Sequence, residues 1–337
     1  MVGVIFYMEA LIRQEADWIL SQQLSSGAVV TAYPGQAKIV PYFAHLALYG
    51  PAAWGLHLPR IQAYLHWYLS RLERPDRFGV TGTVYDYYLD EKGMEVPTYG
   101  YDSSDSYAAT FLTLVRFYYE AGGDREWVEA HWPELEVVAG GMLATLQKDN
   151  LTLARPDWRV KYLMDNCEVY RGLKDYAWLL IKAGKEGEAE RYEVLAGKVK
   201  KALETKMRCN GGYCPAIYRA GLRRRPNWRR WYPDALAQLF PIITGVLHPQ
   251  EENARRLYAN FLRNYPDWYL QTKPENFLTT LVVYTAALMG DNWRVRRYVE
   301  GLEEDIIGRG HPWPYHAAEA GVLLLALKTY LAGNSSY

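Results

Sequence analysis

Apolar residues recur at helical spacing along almost the whole chain, and their distribution changes from one helix to the next. Leu11, Ala16, Ile19 and Leu20 share one side of a helix predicted over 7–24, which ends at Ser25-Ser26-Gly27. A loop through Tyr33-Pro34-Gly35 leads to a second helix, 36–49, that is apolar on nearly every side, the pattern of burial all round. A third begins at Pro59 and runs to 72. The longest irregular stretch follows, 73–101, in which Thr83-Val84-Tyr85-Asp86-Tyr87-Tyr88 has the β-branched and aromatic content of a short strand or hairpin.

The fourth helix, 103–121, stops at Gly122-Gly123, and Asp124 caps a fifth that continues with interruptions to 147. A loop over 149–164 precedes a sixth helix, which opens at Asp165 and runs to 183. The seventh, 186–207, is studded with Lys and Glu, as suits a solvent-facing layer. An irregular segment, 208–232, with a small strand predicted over 213–218, leads to an apolar eighth helix, 233–246. A charged ninth over 251–263, an apolar tenth over 274–289, an eleventh over 293–307 capped by Asp291 and a last over 315–331 complete the series.

Even-numbered helices are the more apolar and odd-numbered ones the more charged. Long connections lead into even helices and short ones lead out. A closed ring of six helical hairpins satisfies both regularities: an inner barrel of even helices inside an outer barrel of odd ones, with neighbours antiparallel and connections local. The predicted fold is therefore all-α, an (α/α)6 toroid forming one domain over 1–337, with short β-hairpin inserts in the loops on one face. An open solenoid would show a more regular repeat length. Successive inner helices run the same way, so every long loop emerges on one face. That face receives Asp102, Asp105, Asp165, Glu168, Asp234 and Glu275.

Charge narrows the partners. Lys and Arg number 38 and so do Asp and Glu, so no global field draws the chain to nucleic acid, and no reading motif for it is present. The apolar opening 1–8 is too short for an export signal with its flanks, and no apolar run approaches the roughly 18 residues of a membrane span. A soluble, cytoplasmic protein with no membrane partner is expected. The three cysteines, Cys167, Cys209 and Cys214, form no CxxC or Cys-His pair, and reduced thiols are expected, although Cys209 and Cys214 could close a small loop in an exported protein. Seven scattered histidines include no HExxH, so neither a metal nor another cofactor is expected. Aromatic residues, by contrast, are abundant and lean to rings with a polar edge: 29 Tyr and 12 Trp against 8 Phe. Such rings fill a helical core or stack on sugars.

The chemistry concentrates in Tyr101-Asp102-Ser103-Ser104-Asp105-Ser106-Tyr107, which follows the long insert carrying Tyr85 and Asp86, and in Asp165-Asn166-Cys167-Glu168. Cleaving a glycosidic bond takes one carboxylic acid to protonate the leaving oxygen and one carboxylate to activate water or attack carbon. Carboxylates one turn apart raise one another's proton affinity. Asp102, Asp105 and Asp165 are the candidate catalytic groups. The same spacing also resembles a capping box, which would lower the pKa instead. Candidate sugar contacts are Tyr85, Asp86, Tyr101, Tyr107 and Glu168, then Trp228 and Trp231 in the arginine-rich run 223–231, then Glu275, Trp313 and His316. The arginines of that run suit an anionic saccharide. Glu319, one turn from His316, is either half of a buried pair or a substrate contact.

On the motifs at 85–87, 101–107 and 165–170, and on hairpin parity over nearly the whole chain, the sequence resembles the six-hairpin glycosidase superfamily. That superfamily includes glucoamylase-like and unsaturated glucuronyl hydrolases. The resemblance implies an active cleft where loops enter the inner helices. In the glucuronyl hydrolases it also implies aspartates near the starts of the fourth and sixth helices, where Asp102 or Asp105 and Asp165 stand. It implies metal-independent hydrolysis of an oligosaccharide. The alternatives are a non-catalytic carbohydrate-binding protein, or a lyase or epimerase on the same barrel that uses Tyr and His as proton carriers.

Overall fold

The computed structural model describes residues 2–31, 37–270 and 277–334. Its inner helices are α2 (Pro41–Ala53), α4 (Ser104–Glu120), α7 (Leu163–Lys182), α9 (Phe240–Ile243), α11 (Thr279–Leu288) and α13 (Ala317–Asn334). The outer ones are α1 (Val2–Ser21), α3 (Leu58–Ser70), the pair α5 (Arg125–Ala130) and α6 (Trp132–Leu143), α8 (Glu186–Lys206), α10 (Glu252–Asn264) and α12 (Asn292–Asp305). Inner helices pack in chain order, and α13 returns against α2 to close a ring of six hairpins.

Burial follows the hydrophobic pattern that produced the helices. In α10 only Ala254, Leu257, Tyr258 and Phe261 are buried, a single stripe at helical spacing, and α12 repeats it with Val295, Tyr298, Val299 and Leu302. In α4 and α2 nearly every residue is buried. The closing seam depends on glycine. A Cβ at Gly321 would overlap the Leu46 carbonyl oxygen, and one at Gly50 would overlap that of Gly321, so α2 and α13 approach backbone to backbone.

The eighth helix departs from expectation. In place of a continuous helix over 233–246, residues Trp231–Ala235 form a π-type turn and α9 is four residues long. Pro241 explains the break, because its ring removes the amide that would continue the preceding turn. The fourth inner position is thus filled by a broken helix, and the loop before it folds onto the cleft face.

Small antiparallel sheets occupy the long loops. Strands β1 (Lys38–Ile39), β2 (Tyr87–Leu89) and β3 (Glu95–Pro97) form one, with Tyr88 opposite both Lys38 and Val96. Asp76 organises this insert by accepting hydrogen bonds from the amides of Phe78 and Val80 and the hydroxyls of Thr83 and Tyr101. Strands β4 (Lys161–Tyr162), β7 (Ala216–Ile217) and β8 (Arg223–Arg224) form a second sheet, and the hairpin β5 (Arg208–Cys209) and β6 (Gly212–Tyr213) a third. That hairpin corrects the expectation of three reduced thiols. The turn brings Cys209 and Cys214 to a Cα separation of 5.3 Å, and they form a disulfide, while Cys167 stays free and buried. No described helix is long and apolar enough to cross a membrane.

Candidate active site

The second sheet builds one wall of a cleft at the mouth of the inner barrel. Tyr162 pairs with Ala216 and Ala216 with Arg224, so the three form a row across the strands and present the same face. All three line a cavity of about 340 Å³, together with Tyr218 and Tyr232. Arg224 is held by an ion pair of 2.5 Å to buried Asp234, whose other oxygen accepts the Asn227 amide. Facing this wall are the first turns of three inner helices. Tyr42 and Phe43 come from α2, Ser106 and Tyr107 from α4, and Met164, Asp165 and Glu168 from α7, with Asp102 just ahead of α4.

The carboxylates gather where α4 meets α7. Ser103 and Tyr162 are the N-cap residues and neither makes a side-chain cap, so the capping-box reading of both motifs fails. Asp105 is fully buried and accepts from the Thr152 hydroxyl and the Ser106 amide. Thr152 is tied in turn to Asn166 at the start of α7, which fixes the two helix starts against each other. Burial raises the Asp105 pKa to about 7 against these donors. Asp165 lines the cleft, and its Oδ2 is buried without a hydrogen-bond partner. Burial, then the nearby charges of Asp105, Glu168 and Asp102, hold its carboxyl well above the usual range. Glu168 is pushed up to about 8 by burial, although the Tyr42 hydroxyl donates to its Oε1 at 2.7 Å. Asp102 opens onto the cleft; burial raises its pKa too, but Arg155 opposes the shift.

Solved structures with this arrangement of hairpins exist. A wild-type glycosidase superposes with a TM-score of 0.68 at 14% identity, over 95% of this chain and 96% of that one. The GH63 mannosylglycerate hydrolase of Thermus thermophilus superposes with a TM-score of 0.67 at 13% identity, over 93% and 99%. The chain has the six-hairpin glycosidase fold. A glycosidase point variant, solved in complex with glucose, superposes equally well, with a TM-score of 0.68 at 13% identity over 95% and 96%. No protein-family model matches the sequence, and no curated protein matches it either.

Within this six-hairpin fold the sequence candidates separate. Asp102, Tyr107, Asp165 and Glu168 line the cleft. Asp86 lies one layer behind, accepting from the Tyr107 hydroxyl at 3.0 Å, with its pKa raised by burial to about 7. Tyr85 and Tyr101 belong to the core of the insert: the Tyr85 hydroxyl accepts the Arg77 amide and the Tyr101 hydroxyl donates to Asp76. Neither tryptophan of the arginine-rich run lines the cavity. Trp231 is buried against Phe261 and Tyr265 with its indole N–H on the Phe277 carbonyl, and Trp228 packs over Gly212 of the disulfide hairpin. His316 is buried among Phe43, Phe277 and Trp313, Trp313 is itself exposed, and neither His316 nor Trp313 lines the cavity. Burial lowers the His316 pKa to about 4, so the ring is neutral. Glu319 makes no pair with His316 and instead accepts the amides of Thr279 and Thr280. Glu275 falls outside the described residues.

Sequence reading missed Tyr42, Phe43, Tyr162, Tyr218 and Tyr232 as cleft residues, while of the arginines in the run 223–231 it is Arg224 that lines the cavity. Tyr42 and Phe43 carried a usable signal: they follow Pro41 at the start of an inner helix, on the same face as Asp102 and Asp165. A smaller chamber of about 60 Å³ lies deeper along the barrel axis, lined by later turns of the inner helices, and it shares Tyr42 and Glu168 with the cleft.

Proposed function

We propose that the protein is a glycoside hydrolase that cleaves a small saccharide carrying an anionic group, with Asp165 as the acid and Asp102 as the ionised partner. The observation that carries this reading is Asp165, a cleft-lining carboxyl with an unpartnered buried oxygen and three acidic neighbours. A group in that setting keeps its proton near neutral pH and can give it to the leaving oxygen as the bond to the anomeric carbon breaks. Asp102 sits in more open surroundings near Arg155 and is the easier of the two to ionise, so it takes the proton of the attacking water. Environments that push two carboxyls apart in pKa assign acid and base. Burial keeps the proton on Asp165 in the first place, and Asp105 and Glu168 add to the effect wherever they ionise.

The cavity is at the lower end of the roughly 300–1,000 Å³ of ligand pockets and fits one or two sugar rings better than a long chain. Arg224, on the wall opposite the carboxylates, gives one N–H group to Asp234, and its remaining donors support an anionic substituent. The name of one structural neighbour, a mannosylglycerate hydrolase, fits this class, because glycerate is a carboxylate.

A second reading has its own observation. Among the described residues, every carboxylate lining the cavity comes from the α4–α7 side, and the opposite wall offers Tyr218, Tyr232 and Arg224. That arrangement favours a lyase or epimerase with tyrosine as a proton carrier. Product analysis on a panel of neutral and acidic glycosides separates the two. Hydrolysis releases a saturated reducing sugar, a lyase leaves an unsaturated one, and an epimerase releases no fragment. Sugar binding without turnover across the panel would identify a non-catalytic carbohydrate-binding protein instead.

A further inference from the structure

Away from the cleft, the disulfide hairpin and α10 enclose an open groove of about 480 Å³. Arg208 and Asn210 line it from the hairpin and Arg256, Asn260 and Arg263 from the helix. The helical residues stand three or four positions apart, with Leu257 buried beneath them, so they form one outward stripe. No carboxylate lines the groove, and among the described residues none pairs with any of the three arginines. Arg256 donates to the neutral amide oxygen of Asn253, which positions the guanidinium without cancelling its charge. Arg208 is held with its guanidinium over the Tyr213 ring, 4.4 Å from the centroid, which leaves its N–H edge free of an ionic partner.

The hairpin side is built rigidly. Gly211 has φ of 84°, in the region that favours glycine, and a Cβ at Gly212 would overlap Gln238 Oε1. Gln238 itself is buried and fixes the hairpin by accepting the Tyr213 amide and donating to the Tyr213 carbonyl. The disulfide closes the same turn. Side chains on such a platform are ordered before a ligand arrives, and less entropy is lost when one binds.

Three guanidinium groups without ionic partners around a preformed groove, in a chain with equal numbers of basic and acidic residues, call for a partner with several anionic groups at spacing. We propose that this groove is a second, non-catalytic docking site for an acidic glycan, with Arg208, Arg256 and Arg263 taking carboxylate or sulfate groups on successive sugars. The choice of a glycan over another polyanion rests on the glycosidase reading of the cleft. The groove itself does not.

The test is calorimetric titration of the full chain with polygalacturonate oligomers, with neutral dextran, poly-glutamate and inorganic sulfate as comparisons. Polygalacturonate should bind, more weakly as salt screens the contacts, and dextran should not. The double variant Arg256→Ala/Arg263→Ala, which places the best helix former on an exposed helix face, should weaken binding by about tenfold or more. Arg263→Glu should weaken it further, whereas Asp165→Asn in the cleft should leave it unchanged. No binding of polygalacturonate, equal binding by both arginine variants, or equal affinity for poly-glutamate or sulfate alone would overturn the proposal. Turnover is not read here, so a cleft that proves inactive fails separately.

Discussion

Glu168→Gln should make the protein more stable, and increasingly so as pH rises. Glu168 is 7% exposed, and burial pushes its pKa from the ordinary glutamate range to about 8. The folded state therefore keeps a proton that the unfolded chain releases above about pH 4.3. Stability tied to that proton is complete below the unfolded pKa and is lost as pH climbs toward 8. At about 1.4 kcal/mol per tenfold in proton affinity, the loss is about 1 kcal/mol at pH 5 and about 4 to 5 kcal/mol at pH 8. Glutamine cannot ionise, and its carbonyl still accepts from Tyr42, so the packing is kept. The advantage of the variant over wild type should grow by about 3 to 4 kcal/mol between pH 5 and pH 8. Urea unfolding at both pH values measures it. An advantage that does not change with pH, or a variant less stable than wild type at pH 8, would mean that Glu168 does not keep its proton in the folded state.

Three other outcomes follow from the same geometry. Tyr42→Phe removes the one hydroxyl that opposes the shift, so Glu168 should ionise above about 8, readable from its carboxyl resonance during an NMR pH titration. Gly321→Ala drives a methyl group into the Leu46 carbonyl at the closing seam and should cost about 1–3 kcal/mol or more, seen as a lower melting temperature; an unchanged melt would mean that the α2–α13 approach is looser than described. Cys209→Ser should cost about 2 kcal/mol, in line with the short loop that the disulfide closes, and adding reductant to wild type should cost the same.

The toroid was legible because the two layers bury different amounts of each helix. The single stripe of α10 and α12 against the all-round apolarity of α2 and α11 is a statement about burial, and parity turns it into topology. The cleft face followed from loop length, and with it Asp102, Asp165 and Glu168. What failed was the finer reading of side chains. Trp228 and Trp231 look alike as sugar platforms and as core, since a large ring with one polar edge suits both; only the tertiary partners, Gly212 for one and Phe261 for the other, decide it. Asp105 differs from Asp102 by three positions along a helix start, which is enough to turn it inward to Thr152. The disulfide was within reach of the sequence: Cys209 and Cys214 stand close enough to close a small loop, and Asn210-Gly211 between them is a two-residue hairpin turn whose signal went unused. The break at Pro241 was written in the sequence and overlooked, because an apolar run was read as continuous through a proline.

Asp165 is proposed above as the protonated acid of a glycosidase cleft. The most direct measurement is proton NMR of the anomeric region while wild-type protein and Asp165→Asn act on the same panel of neutral and acidic glycosides. New reducing-end signals should appear from at least one acidic glycoside with wild type, and none with Asp165→Asn, although that variant still folds and binds the sugar. Full turnover by Asp165→Asn would contradict that role, as would a panel that wild type binds but never cleaves.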